Sequence, residues 1–148
     1  MLGWQIDLIT SLKDPKSIND FPGANSVVES NAEMIDFSKI DANTGILIMN
    51  HSYVQDLKYI LKLIDKKPAY LGVLGAAKRR DKMFNELIEL NPSITEDFLD
   101  SIHTPAGLNL GAQTPEEIAI SILAEILATI KNKKPDSLKN ITGHIHQN

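Results

Sequence analysis

Three short stretches place side chains capable of chemistry where the backbone turns. His51-Ser52, with Asp56 shortly beyond, combines an imidazole with a hydroxyl and a carboxylate. These groups suit a ligand-contacting loop; equally, Ser52 could cap a helix and His51 could meet a nearby carbonyl. The second stretch, Gly72-Val73-Leu74-Gly75-Ala76-Ala77-Lys78-Arg79-Arg80, sets two glycines ahead of three cations. Gly75 would let the backbone turn tightly and approach a ligand. Cations in the first turn of a helix oppose its dipole, an arrangement that makes sense if an anion or nucleotide binds there. A solvated basic face is the alternative. The third, His103-Thr104-Pro105-Ala106-Gly107, lines the same cleft if its connection returns across the top of the sheet, or serves the turn alone.

Other candidates are weaker. His144 and His146 form a close pair, but no carboxylate or cysteine supports them, so no metal site is assigned. Glu116-Glu117 falls in the first turn of a helix, where capping and the dipole account for it. No constellation of nucleophile, base and orienting group stands out. No catalytic residue is assigned, and a binding role leads over catalysis.

The elements that would carry these stretches alternate between strand and helix. Trp4–Ile9 alternates polar and apolar residues before a polar stretch, as a strand does. Met1-Leu2-Gly3 reads as the end of a helix with Gly3 at the left-handed stop, so the chain is expected to begin mid-domain. A short strand is expected around Ser26-Val27-Val28, and Gly45–Met49 is an apolar run of the kind buried on both faces of a parallel sheet. Leu57, Ile60, Leu61 and Ile64 recur at helical spacing until Pro68. Tyr70–Leu74 repeats the strand, and Lys78–Leu90 the amphipathic helix. Two successive strand-helix units imply parallel crossovers. A shorter helix is expected over Ile94–Ile102, with Phe98, Leu99 and Ile102 inward. The strongest helix signal follows: Thr114 as N-cap, Pro115 at the first helical position and Glu117 completing a capping box. Ile118, Ile122, Ile126 and Ile130, with Leu123 and Leu127, then form a broad apolar face. The polar segment 132–148 reads as a tail, leaving residues 1–131 as one α/β domain.

Composition narrows the function. At 148 residues the chain suits one domain with a sizeable core. A net charge of -4 argues against nucleic acid, which needs a basic surface. The absence of cysteine excludes a disulfide framework, a thiolate metal site and a persulfide carried by this chain. No run reaches the roughly 18 apolar residues of a membrane span, and the N-terminus lacks a signal-peptide pattern, so a cytoplasmic protein is expected. A dinucleotide site of the usual kind needs G-x-G-x-x-G after the first strand, and an acidic residue at the end of the next to hold the ribose. The motif does not occur, and Thr10 and Ser11 lie where the acid would be.

The segment Ser101–Ala128, SIHTPAGLNLGAQTPEEIAISILAEILA, closely resembles the IHxPxGLxIGAxTPEEIAxSIxAEI signature of the XdhC family, the xanthine dehydrogenase accessory factors, which includes the related carbon monoxide dehydrogenase maturation factors. Two further matches occur in order. Met49-Asn50-His51 with Asp56-Leu57 is similar to the family's T/S-H-x-x-x-x-D-L region. Tyr70–Gly75 followed by Lys78-Arg79-Arg80 is similar to its YIGLLGSRRR. The resemblance runs from about residue 2 to residue 131.

It implies a Rossmann-like three-layer α/β domain with a mainly parallel sheet, lacking the family's N-terminal domain and its first β-α unit, which would lie before Met1. Two motif positions depart: Thr10-Ser11-Leu12 replaces Asp-Pro-Arg, and Ala76 replaces a serine. By resemblance the chain would assist sulfuration or insertion of the molybdenum cofactor in xanthine dehydrogenase-like enzymes. Its partners would be the apo-hydroxylase and a cysteine desulfurase. The positions to watch are His51, Ser52, Asp56, Gly72, Gly75, Lys78, Arg79, Arg80, His103, Pro105 and Gly107. Two other readings stay open: an NAD(P)-binding oxidoreductase-like domain, and a fragment that completes its sheet with a partner chain or a second copy.

Overall fold

Strand β4, Tyr70–Val73, is buried at every position, because apolar side chains cover both of its faces and strands flank both of its edges. In the computed structural model, which describes residues 2–141, it is the middle of a three-stranded parallel sheet with β3 (Gly45–Ile48) and β5 (Ile102–His103). Ile46 lies opposite Leu71 and Ile48 opposite Val73, while Leu71 lies opposite Ile102. Between β3 and β4 runs helix α1, Tyr53–Leu63; between β4 and β5 run α2, Arg80–Leu90, and the short α3, Glu96–Asp100.

Helical spacing in α1 turns Leu57, Ile60 and Leu63 inward. They join Ile48, Leu71, Val73, Met83, Leu87, Leu99 and Ile102 in one core. Burying a side chain such as Ile60, which is 0% exposed, contributes about 2 kcal/mol. The last long helix, α4, Pro115–Ile130, begins at the expected capping box. Thr114 Oγ1 accepts from the Glu117 N–H at 3.3 Å, and Glu117 Oε2 accepts from the Thr114 N–H at 3.1 Å. Its apolar face is only partly used: Ser121 and Ile122 are buried, whereas Leu123, Leu127 and Ile130 stay largely exposed.

The first two strands, β1 (Asp7–Thr10) and β2 (Ser26–Glu29), form a separate parallel pair. Local polar contacts hold it. Asn25 brackets Ile6, its N–H donating to the Ile6 carbonyl at 2.7 Å and its Oδ1 accepting from the Ile6 N–H at 2.9 Å. Ser26 Oγ donates to Asp7 Oδ1 at 2.6 Å. Between this pair and β3 lies a cavity of about 410 Å³, lined by Leu8, Thr10, Phe37, Ile46, Ile48 and Leu63 among others. The segment after β2 is fastened to α1 by Lys62, whose Nζ donates to the carbonyls of Glu33 and Ile35 at 3.1 and 3.2 Å.

Several expectations need correction. β3 is not buried throughout: only Ile48 is, because one edge of the strand faces the cavity instead of another strand. The first strand lies at Asp7–Thr10, not Trp4–Ile9. Ile102 is not helical. Helix α3 stops at Asp100 and Ser101 closes its end, which frees Ile102 to pair with Leu71 as a strand. The helix expected from Lys78 starts at Arg80, after a 3-10 turn over Ala77–Arg79. His144 and His146 lie outside the described residues.

Candidate functional site

Because β3, β4 and β5 are parallel, the loops that leave them emerge at one end of the sheet. These loops are Asn50-His51-Ser52, Leu74–Ala77 and Thr104–Gly107. The second and third are each tied to the strand beside them: the Leu74 N–H donates to the Ile48 carbonyl at 2.9 Å and the Ala106 N–H to the Val73 carbonyl at 3.0 Å. The third loop is thus tied to the end of β4, and the three candidate stretches leave the sheet at the same end.

Beneath the first two loops, Asp56 is completely buried. Its Oδ1 accepts from Asn50 Nδ2 at 3.1 Å and its Oδ2 from Arg79 at 2.9 Å. Arg79 also lies over the Tyr53 ring, 5.0 Å from the centroid. Asp56 thereby joins the His51 loop to the turn after β4. Burial pushes its carboxyl up, and the hydrogen bonds from Asn50 and Arg79 only partly oppose that rise. Arg79 is correspondingly committed to this brace, leaving Lys78 and Arg80 as the exposed cations of the trio.

The glycines also serve the fold. A Cβ on Gly72 would sit 2.5 Å from Cε1 of Tyr70, so the missing side chain makes room for the tyrosine ring two residues back on the same strand face. Gly75 does not adopt a left-handed conformation; the side chain of Arg79 lies 3.3 Å from where its Cβ would be. Gly107 does require glycine, with φ of +111° and a would-be Cβ 2.2 Å from Ser121 Oγ. The loop there rests directly on α4.

Under that loop, sequence reasoning missed two residues. Glu125 of α4 accepts from the Tyr70 hydroxyl at 2.6 Å and from the Gly107 N–H at 2.8 Å, both on Oε2. Its Oε1 faces His103 Nδ1 at 3.3 Å. Burial and the Glu125 contact push the Tyr70 phenol far up, so it stays protonated and donates. The His103 ring stacks on Tyr70 with centroids 4.6 Å apart. One signal could have found Glu125: it is a lone carboxylate within the apolar run Ile122–Leu127, where an unpaired charge would be costly.

What remains available at this end of the sheet is exposed His51 and Ser52, exposed Lys78 and Arg80, and the partly exposed His103. Ser52 occupies the N-cap position of α1, yet its side chain makes no capping hydrogen bond. Pro105 follows Thr104 through a cis peptide and is exposed. Among the described residues no cluster of three or more His, Asp or Glu forms a ligand set for a metal ion.

Comparison with known proteins agrees with the α/β fold. The family model of the XdhC Rossmann domain matches residues 1–126. A probable xanthine dehydrogenase subunit from Bacillus subtilis is 30% identical over 112 residues, 75% of this chain and 31% of that protein. The molybdenum cofactor insertion chaperone PaoD of Escherichia coli is 28% identical over 100 residues, 68% of this chain and 31% of that protein. The crystal structure of a xanthine dehydrogenase from Bacillus halodurans superposes with a TM-score of 0.65 at 26% identity, covering 85% of this chain and 36% of that one. The chain therefore spans about a third of the length of these relatives.

Proposed function

This chain belongs to the XdhC Rossmann domain family, and from that premise we propose that it serves as an accessory factor in the maturation of molybdenum hydroxylases, handling the molybdenum cofactor as cargo. The observation that carries this reading is that β3, β4 and β5 run parallel, so the loops that follow them, with His51, Lys78 and the His103 stretch, leave the sheet at the same end. Two exposed cations, Lys78 and Arg80, neither in an ion pair among the described residues, suit an anionic cofactor. The relative named as an insertion chaperone supports insertion as the step assisted. Sulfuration would need a second protein such as a cysteine desulfurase, because this chain has no cysteine to carry sulfur. The client is an apo-hydroxylase. Cytoplasmic action is part of the proposal; among the described residues no helix is long and apolar enough to cross a membrane.

Titration with molybdenum cofactor and with a cognate apo-hydroxylase tests this directly. Saturable binding to at least one is expected, weakened tenfold or more for the cofactor by the double change Lys78→Glu and Arg80→Glu. Absence of binding to both would overturn the reading.

NAD(P) fits the residues poorly. The space over Gly72 is filled by Tyr70, Gly75 backs onto Arg79, and Thr10-Ser11 offer no carboxylate for a ribose. Millimolar NAD(P)H is expected to give no saturable signal in calorimetry. The cavity between β1 and β3 leaves strand edges open to pairing, which supports association with a second chain or a second copy. Size exclusion showing a monomer at high concentration would remove the homodimer from the proposal.

A further inference from the structure

Glu125 has two oxygens and three neighbours, and their chemistry differs. The Gly107 N–H can only donate. Tyr70, kept protonated, donates as well, and both bond to Oε2. His103 Nδ1, facing Oε1, can either donate or accept, depending on where the ring proton sits. A carboxylate has no proton to give, so it favours the proton on Nδ1. Among the described residues His103 Nε2 has no hydrogen-bond partner, and the side chain is 29% exposed.

We propose that Glu125 is a positioning residue which holds His103 as the Nδ1–H tautomer, so that Nε2 presents a lone pair to whatever binds at the sheet end. The ligand would then meet cations at Lys78 and Arg80 and a hydrogen-bond acceptor at His103. It would need an anionic part and, separately, an N–H or O–H donor. This deepens the proposed function and rests on it for the statement that the His103 loop lines the binding site.

The glutamine variant makes the inference sharp. In Glu125→Gln the amide oxygen can face either His103 or the Gly107 and Tyr70 donors, but not both. Gly107 cannot accept from an NH2 group, so the oxygen is expected to stay with Gly107 and Tyr70. The amide NH2 then faces His103 Nδ1, which must become the acceptor, and the ring proton moves to Nε2.

Nitrogen-15 NMR of histidine-labelled full chain, above the pH range where imidazole is protonated, reads the tautomer, with His103→Gln assigning the resonance. The wild type is expected to show predominantly Nδ1–H, and Glu125→Gln predominantly Nε2–H. A wild-type spectrum dominated by Nε2–H overturns the inference even if the variant does not fold; so does a folded variant whose tautomer is unchanged. Binding of molybdenum cofactor is read in parallel and is expected to weaken at least tenfold in Glu125→Gln. Failure of the wild type to bind it would count against the proposed function while leaving the tautomer result standing. Unchanged affinity in a variant whose tautomer has switched would remove Nε2 from ligand contact.

Discussion

Two parallel strand pairs in this molecule use similar residues and differ in how deeply they bury them. In β3 and β4, Ile48, Leu71 and Val73 are sealed between α1, α2 and β5. In β1 and β2, Ile9 is 42% and Val28 47% exposed, although isoleucine and valine are equally good strand formers. The difference lies in what covers each pair. Helices and a third strand close over β4, whereas β1 borders a cavity and is held by side-chain contacts from Asn25 and Ser26. Strand propensity makes the pairs possible; coverage decides which becomes core. It follows that stability is concentrated in the β3–β5 half.

Truncation on the two sides should expose that contrast most strongly. Ile60→Ala, at a fully buried position of α1, is expected to cost about 3–4 kcal/mol in denaturant unfolding. A loss near zero would mean that the core is far looser than its packing implies.

Asp56→Asn probes the brace beneath the same half. The folded-state pKa of Asp56 is raised above its ordinary value of 3.8, so the stability it contributes relative to asparagine is full below that value and declines as pH rises through the folded pKa. The stability difference between wild type and variant, followed by denaturant unfolding, should therefore move toward the variant on raising pH from about 3 to 7. Movement toward the wild type would show that the Arg79 pairing outweighs burial.

Thr114→Ala removes one arm of the capping box and is expected to destabilise by about 1 kcal/mol, since the helix amide loses its acceptor. The smallest effect belongs to the other half. Ile9→Ala should cost less than about 0.5 kcal/mol in the isolated chain. A substantially larger cost in the presence of a second chain would indicate that the β1 edge becomes covered on association.

Much of the fold was legible because it rests on local rules. Thr114, Pro115 and Glu117 start a helix wherever they occur together before an apolar run, and Leu57 with Ile60 marks a face by spacing alone. Strand β5 was not legible. Two residues carry no periodicity, and Ile102 fits a helix face as well as a strand until Leu71 is placed opposite it. The candidate site divides the same way. His51, Lys78, Arg80 and His103 could be named from chemistry and motif, but nothing local distinguishes Arg79 from its two neighbours. Only Asp56, 23 residues away, does so.

Unaided, the sequence determined the alternation of strands and helices, the family signature in residues 101–128 and the chemical character of the loops. Those properties depend on near neighbours in the chain. Tertiary structure alone decided that Asp56 meets Asn50 and Arg79, that Gly72 yields its space to Tyr70, and that Glu125 reaches Gly107 and faces His103. Each depends on groups brought together from distant positions, where burial turns an unpaired charge or an extra Cβ into a cost that the fold must meet with one particular partner.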